Sequence, residues 1–575
     1  MKKSLILTLA LLALLVAFAG SATAEGAPVN DLTTLANYAP DSAPFFFAMR
    51  TDPAFITELD AMLARLTSKL PPEAKLPPGF GLDMLLNEFV KDVVDEDISF
   101  DELVRPWAGN TMAVYIPSVE AVMMNRELPL FIGIEITDKS GAEAFVDALL
   151  GDETAEGYYE VTVREDGVIV YNASSVYDPS VIITTDALFF GLFSDDLDEL
   201  VLPGEDRVKL GLTGAFQDAL AALPAGGYHA VAYLDLTDAV NTLVPQIARE
   251  LPPALADLLD PVEIMDRLGQ QAVGLTVLQE RSLVLDVIHT GTVDMPGSPL
   301  NLDFLRHVPA DTALLAQNNG FADAVRHWLD MLDQLDDMLT DMGEFPLEDA
   351  GPFANFRFSH LGTFMQLSFE GSTGLNFDKT LNWMNEDVAM FLSLPTGSNP
   401  MFGVDPGFGL EYGLVVATNS PAETTDYIAA LNDAMTEMYS ATRFENDMMI
   451  VPLGDLISMP ELANIAVGSN DEVLAAGVKS SVAFALNPGT ENIATTPTFM
   501  FEQGAFLPDT SVLLYADLAP VRAAFDAFAS ANPDLVDPVE ADGLRMLLSF
   551  FDTASITAVY AETGGKIRFS LTMGE

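Results

Sequence analysis

The sequence predicts an α+β protein built as a tandem duplication of two related lobes, each mostly antiparallel sheet with helices packed on one face. Three observations predict it. A short unit recurs four times: YAPDSAPFFFAMRTDPAFITELDAM from Tyr38, LPAGGYHAVAYLDLTDAVNTLV from Leu223, HVPADTALLAQNNGFADAVRHWL from His307 and FLPDTSVLLYADLAPVRAAFDAF from Phe506. The first and third copies lie 269 residues apart (Pro40 to Pro309) and the second and fourth 284 (Pro224 to Pro508), with intervening elements in matched order. Chance apolar periodicity does not keep order in this way. The strand-like runs also come as meanders broken by single helices, without a long βαβ series, which points to antiparallel pairing.

Residues 1–24 read as a secretory leader. Lys2 and Lys3 form a basic start, Ser4 to Gly20 is almost wholly apolar, and Ala22-Thr23-Ala24 offers the small residues a signal peptidase needs. The apolar run falls short of the roughly 20 residues a membrane anchor requires. The expectation is cleavage after Ala24, with no transmembrane segment in the mature chain.

The first lobe is expected over 25–300 and the second, diverged lobe over 301–575. Phe45 to Met49 reads as a strand, Asp52 as a helix cap and Pro53 as a first-turn proline. The following helix, Ala54 to Leu70, stops at Pro71-Pro72. In the second lobe Ala313 to Gln317 takes the strand role and Phe321 to Met338 the helix, with Trp328 and Leu335 on its apolar face. Next come DELVRPWAGNTMAVYIP and FDKTLNWMNEDVAMFLSLP, each a helix end carrying Trp107 or Trp383, a polar turn and a strand. Both tryptophans are expected to anchor a helix end on the sheet. The segments from Leu130 and Tyr412 read as strand, turn and helix, with Glu143 or Glu423 in the first helical turn, facing the positive end of the helix. Short β segments follow, with Glu165-Asp166-Gly167 as a hairpin turn. Gln271 to Gly291 and Ala554 to Gly574 close the two halves as strand pairs.

Charge excludes several function classes. The chain carries 85 acidic and 26 basic residues, a formal net charge of −59. A field of this sign repels DNA, RNA and anionic lipid surfaces. The acids are scattered, which suits solvation in a salty exterior and implies only weak surface cation binding. Asp195, Asp196, Asp198 and Glu199 lack the glycine of a calcium loop, and Asp336 to Glu344 holds Gly343 in the wrong register. No dedicated metal, cofactor-binding or catalytic residue is expected.

Zero cysteines remove thiol chemistry, thiolate metal sites and disulfides, so packing must hold the fold. The five histidines, His229, His289, His307, His327 and His360, include no pair at helical metal-ligand spacing. They read as structural or surface residues. His307 occupies a slot where the other copies carry Tyr38, Ala222 and Phe506, an interchange that suits packing. There is no G-x-S-x-G elbow and no P-loop. Met123-Met124 and Met448-Met449 read as core filling, and only second as an adaptable groove.

The stretch LANYAPDSAPFFFAMRTDPAF with the helix after it, and RPWAGNTMAVYI with its Pro-Trp-x-Gly start, resemble the DUF3352 family of exported bacterial proteins of unknown function. The resemblance covers most of the chain from Leu32. In the second half Asn382-Trp383-Met384-Asn385 lacks both the proline and the glycine. The resemblance implies export and a cell-envelope or extracellular setting, and it carries no activity, substrate or catalytic residue.

The leading expectation is therefore an exported non-enzymatic protein of the envelope or exterior, acting by binding or assembly with an envelope protein or polymer. The alternative is a carrier or sensor of a hydrophobic ligand in a cleft between sheet and helices. A hydrolase would need His229, His289 or His360 beside a Ser and an Asp. The charge itself is testable: repulsion is screened over about 8 Å at 0.15 M salt. The melting temperature is expected to rise along a sodium chloride series, and a flat series counts against the solvation reading.

Overall fold

The structure, a computed structural model, describes residues 26–574 apart from 62–83, 88–98, 120–128, 193–207, 251–260, 333–357, 395–410, 452–464, 532–543 and gaps of one to four residues. The leader with its cleavage point, Met123-Met124 and the acid clusters at 195–199 and 336–344 lie outside the described residues.

Runs rich in Val, Ile, Phe and Tyr form the strands, as their fit to a pleated, packed surface dictates. In the first half these are β1 (Phe45–Arg50), β2 (Ala108–Ile116), β3 (Leu130–Ile136), β4 (Tyr159–Val163), β5 (Ile169–Ala173), β6 (Ser180–Ile183), β7 (Ala187–Leu192), β8 (Ala230–Leu234), β9 (Gln271–Leu278) and β10 (Ser282–Thr292). The second half holds β11 (Thr312–Asn319), β12 (Asp387–Ser393), β13 (Glu411–Ala417), β14 (Arg443–Glu445), β15 (Met448–Val451), β16 (Ile465–Ser469), β17 (Val473–Val478), β18 (Val512–Asp517), β19 (Phe551–Tyr560) and β20 (Thr563–Met573).

All these strands belong to one 20-stranded sheet. This corrects the expected fold class of two lobes, each with a sheet of its own. An apolar pattern specifies which face of a strand is buried. It does not specify which strand edges pair. By chain contacts two compact units are present: residues 1–246 with 260–292, and 247–259 with 293–575.

Within the first unit the ladders run β4-β5-β6-β7-β3-β2-β1-β8-β9-β10, every pair antiparallel. Within the second they run β14-β15-β16-β17-β13-β12-β11-β18-β19-β20. Adding ten to each strand number converts one order into the other. Register follows the same rule at the centre, where Met49 faces Met112 and Asn318 faces Val388.

Helices cover both faces of the sheet, a second correction to the expected one-face packing. Those used below are α1 (Lys139–Ala155), α2 (Gly214–Ala221), α3 (Pro421–Met438), α4 (Lys479–Leu486) and α5 (Pro497–Gln503). In the first unit Phe46, Tyr115, Phe131, Phe189 and Tyr233 pack with Leu32, Leu35 and, from α2, Phe216 and Leu220. Their opposite-facing neighbours Met49, Val114, Ile132 and Phe190 are buried as well. In the second unit Val415 and Val473 enter a core with Val482 and Leu486 of α4 and Phe499 of α5. Val416 and Leu474, each one residue on, enter another with Ile428 of α3. Successive side chains on a strand point to opposite faces, so a strand buried on both loses its polar alternation. That loss is why one-face packing was the wrong inference from runs such as SVII and VLAAGV.

Local signals act as their chemistry dictates. Asp52 accepts from the Phe55 N–H at 3.1 Å and caps residues 53–57, which are helical. The rest of the helix expected over 54–70 is only partly described. α1 starts at Lys139, so Glu143 lies a turn further in than expected and faces Lys139 at 3.7 Å. Trp107 is buried, donates its indole N–H to the Leu103 carbonyl at 2.7 Å and packs on Phe145 of α1. It thus ties the end of the helix Phe100–Leu103 to the layer over the sheet. Trp383 ends the helix Phe377–Trp383.

One polar knot pins α5 to β19 and β20. The buried Glu502 carboxylate accepts from the Thr553, Ser555 and Thr572 hydroxyls at 2.6, 2.6 and 2.5 Å. Glu502→Leu removes the acceptor these buried hydroxyls share, and a buried hydroxyl left unsatisfied costs about 1–3 kcal/mol. Urea denaturation of this variant is expected to show a loss of about 3 kcal/mol or more, and of Glu502→Gln a smaller one.

Candidate ligand-binding face

The histidines are scattered among different environments. His229 is buried in the residue before β8, stacked on Phe55 at 5.3 Å. Its Nδ1 lies 3.4 Å from an Arg50 guanidinium nitrogen, and Arg50 forms a two-toothed ion pair with Asp52 at 2.7 and 2.9 Å. Burial, then the Arg50 charge, push its pKa down to about 4, against the opposing pull of Asp52. His307 is also buried, with Nδ1 2.7 Å from the Ala485 carbonyl and Nε2 3.5 Å from Glu472. Burial holds its pKa below the ordinary value. His289 accepts from the Gly291 N–H at 3.1 Å. His327 and His360 lie in helical segments. Around His229, the groups within reach are a cation, a carboxylate and an aromatic ring, an arrangement that stabilises the cap of the 53–57 helix.

Met448 and Met449 are both buried, and they enter different cores on opposite faces. They fill the interior. Among the described residues, no cluster of three or more His, Asp or Glu side chains is placed to hold a metal ion. None of the described helices is long and apolar enough to cross a membrane.

Among the described residues, a concave feature of apolar chemistry lies elsewhere, on the second unit's sheet. A groove of about 470 Å³ is lined by four adjacent strands: Met390 and Leu392 of β12, Leu314 and Ala316 of β11, Leu514 and Ala516 of β18, Ala554 and Ile556 of β19. The register makes these side chains neighbours: Leu314 faces Leu392 and Ala516, while Leu514 faces Ala316 and Ile556. Their alternate partners Leu315, Phe391, Leu513 and Tyr515 point into the opposite core. Met390 is 55% exposed, Leu514 43% and Leu314 40%. At the first unit's corresponding ladder position to Met390, Val114 is only 7% exposed. The same face is covered toward Val388, where Ile428 of α3 packs. Farther along the strands the apolar rows lie open.

No residue lining this groove carries a charge. Its volume falls within the 300–1,000 Å³ range of small-molecule sites, which are concave and mostly apolar. The sequence signal for it was absent, because LLA, AMFL and VLLYA read as core strands whether or not something covers them.

A family model described as a protein of unknown function, DUF3352, matches residues 4–501. No curated protein matches the chain. A solved structure titled "Structure of crystal form I of TP0453" is 10% identical over 45% of this chain and 80% of that one. Its TM-score of 0.22 is too low to carry an argument.

The His229 environment generates a pH prediction. The unfolded chain binds a proton near pH 6.5, whereas the folded ring takes it up only near pH 4. Stability is therefore unaffected by this group above pH 6.5 and is lost as pH falls from 6.5 to 4, by about 3 kcal/mol at most. Urea melts at pH 7 and pH 4 are expected to show that much less acid destabilisation in His229→Gln than in the parent chain.

Proposed function

The chain belongs to the DUF3352 family of proteins of unknown function, and on that premise we propose an exported, non-enzymatic binding protein whose working surface is the open apolar face of β12, β11, β18 and β19. Its ligand is a small apolar molecule or the apolar chain of a larger one. The observation that carries this reading is the groove of about 470 Å³ lined by uncharged, largely aliphatic side chains, with Met390 in solvent where its first-unit counterpart Val114 is buried. A purely structural protein gains nothing from leaving Met390, Leu514 and Leu314 in water, since burying such a side chain is worth about 1.5–3 kcal/mol.

Export is supported by the basic, apolar and small-residue order of residues 1–24. The charge of −59 supports a role in a salty exterior, where it keeps the protein dispersed. A non-catalytic role is supported by the histidines: His229 faces Arg50 and His307 faces the Ala485 carbonyl, neither of them a hydroxyl nucleophile.

A neutral environment-sensitive dye such as Nile red tests the groove. The full mature chain is expected to bind it saturably, and Leu514→Glu and Met390→Glu each to weaken binding by about tenfold or more. Both positions are exposed, so their unfolding free energies should stay within about 0.5 kcal/mol of the parent. Undiminished binding in the double variant would remove the proposal.

A further inference from the structure

We propose, building on the binding role assigned to the groove above, that its occupant is a single unbranched alkyl chain whose head carries no negative charge. The alkyl chain lies over three alanines in the sheet of the second unit.

Register builds this floor. Across the β11–β18 ladder Leu314 faces Ala516 while Ala316 faces Leu514, so large and small side chains alternate like the squares of a checkerboard. Ala316 and Ala516 share one diagonal, and Leu314 and Leu514 the other. Ala516 in turn faces Ala554 on β19. The three alanines are half-buried, whereas Leu314 and Leu514 are 40% and 43% exposed and stand above them. Directly opposed residues lie about 5 Å apart at Cβ and diagonal ones about 7–8 Å. The low path from Ala554 through Ala516 to Ala316 is therefore about 12 Å long, bends once and passes between two leucines. Met390 faces Ala316 at one end, and Leu571 faces Ala554 at the other. The gap between the leucine side chains admits methylenes in single file. A flexible alkyl chain follows the bend, and a rigid cage of the same carbon count does not.

The ladder geometry does not itself require this trough, as the first unit shows. Phe47 faces Val114 and Ala232 as Ala316 faces Met390 and Leu514. Leu234 faces Phe45 and Gln271 as Ala516 faces Leu314 and Ala554. The first unit thus carries Phe47, Leu234 and Gln271 where the second has its three alanines. Each of the three is larger, so the corresponding path is filled there by the protein's own side chains. In the second unit the same volume is left for a ligand.

Charge selects the head. No lining side chain is charged, and the whole protein carries −59. An anionic head meets no counter-ion in the groove and a repelling field outside it. An alcohol or ester head avoids both and stays at the water-facing side.

Isothermal titration calorimetry of the full mature protein at about 0.15 M sodium chloride tests the assignment with decanol, decanoate and adamantanol. The last carries decanol's number of carbons in a rigid cage. Decanol should bind saturably, and the other two at least about tenfold more weakly. Ala316→Phe and Ala516→Leu install the residues that the first unit has at the same ladder positions. Each should weaken decanol binding by about tenfold or more at an unchanged melting temperature. Ala516→Leu, the smaller change, carries the comparison if the phenylalanine disturbs folding. Nile red, which needs only the exposed rims at Met390 and Leu514, should stay bound to Ala516→Leu within about threefold of the parent. Equal binding of adamantanol or decanoate overturns the proposal, and so does undiminished decanol binding by Ala516→Leu. If Nile red binds the parent protein and decanol does not, the open face stands and the alkyl-chain assignment alone falls. If neither binds, the groove falls with it.

Discussion

The constraint on which this structure depends is that its strands serve two cores at once. Val415 and Val416, or Val473 and Leu474, are chain neighbours that enter separate apolar clusters. Every residue of such a strand is answerable to packing on one side or the other, and a one-residue slip would exchange the two populations. Register is accordingly fixed without disulfides. It is reinforced where polar groups must meet, as at Glu502 with its three hydroxyl donors. A buried carboxylate is tolerable only with such donors in place, so the knot specifies one seating of α5 and disfavours others.

The same constraint explains why the candidate site is a face. Helix α3 covers Val388 and Leu474, and α4 and α5 cover the opposite side. Where the helical cover ends, the strands retain the apolar side chains on both faces that packing asks of their neighbours. The groove along Met390, Leu314 and Leu514 is a stretch of core-type surface without its lid. Its chemistry is that of a protein interior presented to solvent, and this makes an apolar occupant the natural complement. The great excess of acidic residues fits the same picture: a molecule with an exposed apolar patch stays dispersed if the remainder of its surface repels its own kind.

Much of the element order was legible from the chain. The strand at Phe45, the cap at Asp52, the hairpin at Gly167 and the helix-end tryptophan at Trp107 are local devices, and local chemistry announces them. Two long-range facts were not legible. That all strands join one sheet depends on edges, which carry no side-chain signature. That helices lie on both faces was written only in the missing polar alternation of runs such as SVII and VLAAGV, a fainter signal than any local motif. The groove was illegible for a related reason: Leu514 has the same identity whether a helix covers it or not. His307 shows the converse, since its buried ring bound to the Ala485 carbonyl belongs to the packing slot its repeat position suggested.

The position of β1 has a consequence for how the molecule comes into being. Phe45 to Arg50 lies between β2 and β8, and its pairing with β8 spans almost the whole first unit in sequence. A chain delivered from its N-terminus presents FFFAM long before Ala230 to Leu234 arrive to flank it. Loop closure over such a distance is entropically costly and makes contact formation slow. The nascent polypeptide therefore passes through a stage in which an interior strand of the sheet has one sticky side uncovered. Guarding that interval is a task for whatever handles the newborn chain.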